Sequence, residues 1–146
     1  MLELHAPTIC AVAPFTVPEK WIKKTLVVMP PEDERMVFLG EHFDPEHGYS
    51  FEQHFHIVTP CFCWQGWNDG KGHGKVRHEG KGCFVHRLSY EWANDLVLRE
   101  EDVIDHLCRN RACWNPTHLD CVTMAVNTAR GLGRFNQFKP REAYAG

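Results

Sequence analysis

The chain has 146 residues, 43% of them hydrophobic, with 16 Lys/Arg against 19 Asp/Glu and a formal net charge of −3. That is enough chain for one modest hydrophobic core. No apolar run reaches the ~20 residues that cross a bilayer, and Met1–Pro14 lacks the basic start of a secretory leader. The expectation is a protein with no membrane partner, placed in the cytoplasm.

The charge is unevenly spread. Residues 1–60 hold four Lys/Arg and nine Asp/Glu, whereas residues 61–146 hold twelve and ten. Lys71, Lys75, Arg77, Lys81 and Arg87 face only Glu79 in sequence, and Arg130, Arg134, Lys139 and Arg141 face only Glu142. Such stretches are solvated charge or phosphate contacts. Lys75, Arg77, Arg87, Arg130 and Arg134 are the DNA-binding candidates.

In chain order, residues 1–20 are rich in Pro and Ala and read as an extended arm. Trp21–Met29 suits either helix or strand, and Pro30-Pro31 ends it. Met36–Leu39 is a candidate strand. Residues 40–56 carry His42, His47, His54 and His56 without a ligand-like spacing, and read as surface histidines. From Thr59-Pro60 onward Cys, Trp and Gly take over. Lys75–His78 and Cys83–Val85 suggest a hairpin across Glu79–Gly82. Leu88, Trp92 and Leu96 recur at helical spacing, which predicts a helix over His86–Leu98.

The last segment predicts a strand at Val103–Asp105, an irregular stretch over 107–117, a second strand at Leu119–Val122 and a helix over Met124–Arg130. Thr123 suits its N-cap and Gly131 its end. Inside the irregular stretch, Cys108, Cys113 and His118 form Cys-x4-Cys-x4-His. Close cysteines in a reducing compartment are metal ligands more often than disulfides, and seven is an odd number to pair. Two thiolates and an imidazole suit structural Zn²⁺, which takes four such donors. The alternative is a pair of buried apolar thiols. Cys61, Cys63, Cys83 and Cys121 are candidates for the fourth ligand. Cys121 should point away from His118 by strand alternation, whereas Cys61 and Cys63 share a face.

Asp105 and His106 end the first strand of this unit, and Asn127 stands about one turn into its helix. Imidazole suits a general base near neutral pH. A carboxylate and an amide are hard oxygen donors suited to Mg²⁺.

The string from Asp105 to Leu119, followed by Val122-Thr123 and Asn127, resembles the HNH (His-Me finger) endonucleases common in bacteriophages. Its Cys-x4-Cys-x4-His core resembles the His-Cys box homing endonucleases. Cys61-Phe62-Cys63-Trp64-Gln65-Gly66 and Phe84–Glu91 resemble two further segments of the phage proteins. The resemblance covers roughly residues 61–131. It implies an α+β fold: a zinc-stapled ββα-metal core at 59–133, an N-terminal β-rich extension at 1–58 and a basic tail at 134–146.

It also implies a metal-dependent DNA endonuclease or nickase that leaves 5′-phosphate and 3′-hydroxyl ends. His106 would be the base, Asp105 and Asn127 the ligands of a catalytic Mg²⁺ or Mn²⁺, and Cys61, Cys108, Cys113 and His118 the ligands of a structural Zn²⁺. Double-stranded DNA is the implied partner, and residues 1–58 could add DNA contacts or a homodimer surface. Lys75, Arg77 and Arg87 compete for the role of transition-state cation. With an ordinary imidazole as base, the rate should climb between about pH 5 and 8 as His106 loses its proton. The rival reading is a zinc-stabilised DNA-binding module that does not cleave.

Overall fold

Alternating apolar residues, dense glycines and scattered prolines leave few stretches long enough for helices, and short antiparallel ladders dominate. The computed structural model describes residues 16–134 and the two-residue strand Leu2–Glu3, with side chains over 16–130. The order is β1 (Leu2–Glu3), β2 (Thr16–Val17), α1 (Glu19–Lys23), β3 (Thr25–Val28), β4 (Met36–Asp44), β5 (Tyr49–His56), β6 (Cys61–Trp64), β7 (Lys75–His78), β8 (Lys81–Phe84), α2 (Val85–Asn94), β9 (Val103–His106), β10 (Leu119–Val122) and α3 (Met124–Arg134). The strands pair antiparallel as β1–β2, β3–β6, β4–β5, β7–β8 and β9–β10. The class is α+β, as the sequence predicts, and the N-terminal part is rich in strands.

β6 organises the interior. All four of its residues are buried, and alternation sends them to two cores. Phe62 and Trp64 join Val17, Trp21, Val76, Val85, Leu88 and Trp114. Cys61 and Cys63 join Val37, Leu39, Ile57, Cys108, Ala112 and Cys113. β3 covers one edge of β6, with Val28 opposite Cys61 and Thr25 opposite Trp64. Residues 112–114 run along the other edge: Trp64 N–H donates to Ala112 O (2.9 Å) and Trp114 N–H to Phe62 O (3.0 Å). A boundary at residue 58 therefore runs through a shared core.

Trp21 is the centre of the first core. Its ring lies 5.0–5.6 Å from those of Trp92, Trp114 and Trp64, edge-on to the last two, a geometry that adds attraction beyond area burial. The segment Trp21–Met29 resolves as both of its alternatives in turn, the end of α1 and then β3.

Several boundaries differ from expectation. The His-rich 40–56 belongs to a long hairpin, β4–β5, bulged between Phe38 and Gly40. β4 extends past Leu39 because its outer half is solvated and lacks the apolar signal of a buried strand. The β7–β8 hairpin turns on Glu79-Gly80 alone, with φ of 51° and 79°. Two positive φ values in a two-residue turn match the twist of paired strands, and glycine takes the second at no steric cost. α2 stops at Asn94 and not at Leu98: Asp95 turns left-handed (φ 52°), and the Glu91 carboxylate captures Leu98 N–H (2.7 Å). Leu96 and Val97 consequently lie in solvent. α3 is N-capped by Thr123, whose Oγ1 accepts from Val126 N–H (3.2 Å). It runs through Gly131 to Arg134. An interior glycine costs only about 1 kcal/mol, and nothing there imposes a left-handed residue.

Trp21→Ala should lower unfolding stability by about 3–5 kcal/mol, the range for emptying a buried aromatic site. Denaturant titration followed by near-ultraviolet circular dichroism checks this; a loss under about 1 kcal/mol would show that the tryptophan cluster is not the core's centre.

Candidate metal centre and imidazole cluster

Cys61, Cys108, Cys113 and His118 are completely buried, and their ligand atoms all lie within 4.8 Å of one another. His118 Nδ1 is 3.6 Å from Cys61 Sγ and 3.5 Å from Cys113 Sγ. A tetrahedral ion with Zn–S near 2.3 Å and Zn–N near 2.05 Å separates sulfur from nitrogen by roughly 3.6 Å. Spacing and donor type both fit, so the cluster can hold a metal ion such as zinc. Of the four candidates for the remaining ligand, Cys61 is the one in the cluster. Cys63 shares its face of β6 but accepts a hydrogen bond from Asn110 Nδ2 at 3.2 Å, and Cys121 and Cys83 lie elsewhere on partly exposed strands.

The loop is shaped around this centre. Leu107 N–H donates to His118 O (2.7 Å), closing the base of the β9–β10 ribbon, and Cys113 N–H donates to Asn110 O (3.0 Å). With Nδ1 turned to the thiols, His118 carries its hydrogen on Nε2 and donates it to Thr59 Oγ1 at 2.8 Å. That outer contact fixes ring and tautomer. Asn115 ties the same corner, donating to Pro60 O (2.8 Å) and accepting from Thr117 N–H. Thr59, Asn110 and Asn115 escape a search by ligand type, because nothing in composition separates an orienting hydroxyl or amide from a surface one.

Crowding three thiols makes their ionisation interdependent. The Cys108 hydrogen bond first, with burial added, pushes the Cys61 thiol up; burial, then Cys108 and Cys61, push Cys113 up. Cys108 is held well below its ordinary value, its hydrogen bonds from the other ligands outweighing the burial that opposes them. The cluster without an ion thus favours one thiolate and resists a second and third, which a divalent cation would stabilise.

His106 ends β9 and is only 8% exposed. Its Nε2–H donates to Cys113 O at 3.1 Å, so a residue of the candidate metal centre sets the imidazole's orientation and tautomer. Nδ1 then carries the lone pair, has no hydrogen bond among the described residues, and is not among the sealed-off polar atoms. Burial is the main cause lowering the pKa from 6.5 to about 4. His106 is therefore neutral throughout the range in which an ordinary imidazole titrates, unlike the ordinary imidazole expected from the sequence.

Two imidazoles flank it that spacing did not join: His86 at 4.7 Å between ring centroids and His73 at 5.9 Å, with His73 and His86 5.6 Å apart. His73 Nδ1–H donates to Asp69 Oδ2 (3.0 Å). Desolvation opposes ionisation of Asp69, but hydrogen bonds from Lys71 and His73 outweigh it and hold the carboxyl below its usual value. His86 Nδ1 is buried without a partner, and burial, reinforced by His106, His73 and Arg87, holds the ring neutral.

Asp105 has different neighbours, as alternation along β9 requires. Its Oδ1 accepts from Arg109 Nη1 (2.8 Å) and its Oδ2 from Arg130 Nη1 (3.0 Å), which also reaches Asp120 (3.0 Å). Asn127 stands one turn before Arg130 on α3 and so shares its face; its half-buried amide has no hydrogen bond among the described residues. The three expected catalytic groups are thus split, with His106 among imidazoles and Asp105 held to α3. With both carboxylate oxygens paired to guanidinium groups, Asp105 as it stands does not fit a divalent cation.

Of the DNA-binding candidates, Arg87 donates to Asp102 O (2.6 Å) and Arg99 O (2.8 Å), fastening the 99–102 loop to α2, and Arg130 is occupied as above. Lys75 and Arg77 line an open cavity beside Trp64 and Trp67. The Arg134 side chain and the 135–146 tail lie outside the described residues. Among the described residues no helix is long and apolar enough to cross a membrane. No family model matches the chain, and no curated protein or solved structure is significantly similar to it.

Metal analysis of purified protein should give one tightly bound ion per chain. Cys61→Ser and Cys108→Ser should lose it and unfold at lower temperature, whereas Cys63→Ser and Cys121→Ser should retain it. Thr59→Val should keep the ion but weaken its affinity by about 10–100-fold. An ion retained by Cys61→Ser would overturn the ligand set.

Proposed function

We propose that the protein is a metal-dependent DNA endonuclease or nickase of the HNH type, with a ββα-metal core, a structural Zn²⁺ on Cys61, Cys108, Cys113 and His118, and His106 as general base. One observation carries this reading: a buried, neutral imidazole stands at a strand end with Nε2–H fixed by a metal-ligating residue, leaving Nδ1 free.

In the proposed reaction His106 Nδ1 takes a proton from water as the water oxygen forms a bond to phosphorus. The phosphorus–O3′ bond breaks in line, giving a 5′-phosphate and, after protonation, a 3′-hydroxyl. A Mg²⁺ or Mn²⁺ would supply charge neutralisation at the phosphate. Asn127 is the free oxygen donor proposed for it, and Asp105 joins only if Arg130 releases Oδ2. Duplex DNA is the proposed partner.

The paired state of Asp105 favours the second reading, a zinc-stabilised DNA-binding module that does not cleave. Supercoiled plasmid with Mg²⁺ or Mn²⁺ separates the two. The nuclease should nick it, and His106→Ala should cut the rate by about 10²–10⁴-fold, the usual contribution of a general base. Absence of nicking across metals, or equal nicking by His106→Ala, leaves the binding module.

The pH profile gives an independent check. A pKa lowered by burial keeps the base deprotonated above it, so the rate should hold within about twofold from about pH 8 down to about pH 5.5. An acid limb centred on the ordinary imidazole value would show His106 to be solvated in the working enzyme.

A further inference from the structure

The second feature that could meet nucleic acid is the cavity of about 190 Å³ lined by Lys20, Lys24, Trp64, Trp67, Lys75, Val76 and Arg77. α1 and the residue after it supply Lys20 and Lys24, one turn apart on one face; β7 supplies Lys75 and Arg77. Among the described residues none of these four cations forms an ion pair, in a chain whose formal charge is −3. Four unpaired cations converging from two elements make a local positive field that a solvated lysine run does not.

Trp67 gives the cavity a second chemistry. Its indole is 63% exposed, yet its backbone is pinned: the carbonyl accepts from Trp64 Nε1 (3.0 Å) and from Lys75 N–H (2.9 Å). Lys75 Nζ lies 5.5 Å from the centroid of the Trp67 ring and 4.9 Å from that of Phe84, so aromatic faces hold the ammonium at the rim. Trp64 forms the floor, and Gly74 permits it: a Cβ there would lie 2.6 Å from Trp64 Cδ1. A large exposed aromatic surface on a pinned backbone, beside cations without ion pairs among the described residues, combines the two elements that bind unpaired nucleotides, a track for phosphate and a platform for a base.

The geometry points to this groove as a binding site for an unpaired segment of DNA, with phosphates on Lys20, Lys24 and Arg77 and a base stacked on Trp67. The cavity is smaller than the roughly 300–1,000 Å³ of small-molecule pockets, which favours a piece of a polymer over an enclosed metabolite. A duplex keeps its bases stacked inside and offers none to Trp67. The site shares with the nuclease reading only the premise that the partner is DNA; it uses no catalytic residue.

Binding is measured on zinc-loaded protein with no Mg²⁺ or Mn²⁺ added, by fluorescence anisotropy of a labelled oligodeoxythymidine of about 12 nucleotides, within the footprint of such grooves. A duplex of equal length and a polyglutamate peptide serve as competitors. Trp67→Ala should weaken the single strand about tenfold or more and leave the melting temperature unchanged, since the side chain is exposed. Lys24→Ala and Arg77→Ala should each reduce the slope of log affinity against log salt by about 0.7. Wild-type affinity in all three variants overturns the proposal. So does a duplex that binds as tightly as the single strand without needing Trp67, or polyglutamate that displaces the oligonucleotide at equal charge concentration. A protein that nicks plasmid but ignores these substitutions sinks this site alone; one that binds in this way and never nicks sinks only the nuclease.

Discussion

Four ligands meeting at one buried point constrain everything around them. Cys61 comes from the central strand, Cys108 and Cys113 from the long loop, and His118 from its exit into β10. Structural zinc contributes on the order of 10–16 kcal/mol in small domains, comparable with the ~5–15 kcal/mol net stability of a whole domain. Twelve residues connect β9 to β10 and keep Asn110, Asn115, His118 and the Arg109 guanidinium in the interior, an arrangement that an ion bound at the cluster would stabilise. Arg109, adjacent to Cys108, even takes φ 61°, a left-handed conformation that costs about 1–3 kcal/mol and persists only where the surroundings impose it.

The knot reaches further through hydrogen bonds than through its ligands. Residues 112–114 add to the edge of β6, so the loop becomes part of the sheet that also buries Trp21 and Trp114. The Cys113 carbonyl, on the same short segment, accepts from His106. Metal position, sheet edge and imidazole orientation are therefore linked by one stretch of backbone. This backbone couples the two cores: a displacement of 112–114 would reach both the tryptophan cluster and the end of β9.

Three donors of the candidate cluster, Cys108, Cys113 and His118, the β9–loop–β10–α3 order and the Thr123 cap were legible because each depends on local spacing and residue type. The fourth ligand was legible only by resemblance, since Cys61 and Cys63 share a face and differ in what lies across from them. The long β4–β5 hairpin was not legible: its outer half is solvated, so alternation carries no apolar signal there. Trp21 was opaque for the opposite reason, because a lone aromatic between lysines shows nothing of the three indoles that surround it. The imidazole cluster joins residues from a glycine-rich loop, a helix start and a strand end, and no pattern along the chain could pair His73 with His106. The two guanidinium partners of Asp105 were missed likewise: Arg130 read as a candidate phosphate contact until α3 was placed.

That buried charge group decides how far α3 could take part in chemistry. Asp105 and Asp120 face Arg109 and Arg130, two anions with two cations, which is what a site removed from water requires. The two arginines are not equivalent. Arg109 is nearly sealed and also donates to the His106 carbonyl at 3.0 Å, so moving it would disturb the strand end. Arg130 divides itself between Asp105 and Asp120 at equal distance, so if it releases Asp105 it keeps Asp120, the more exposed carboxylate, as a partner. A divalent cation arriving at Asp105 Oδ2 would thus displace one half of one shared ion pair and leave Oδ1 fixed by Arg109. Removing Arg109 instead would strand a buried carboxylate, a penalty of several kcal/mol. Any opening of this site toward Asn127 therefore runs through Arg130.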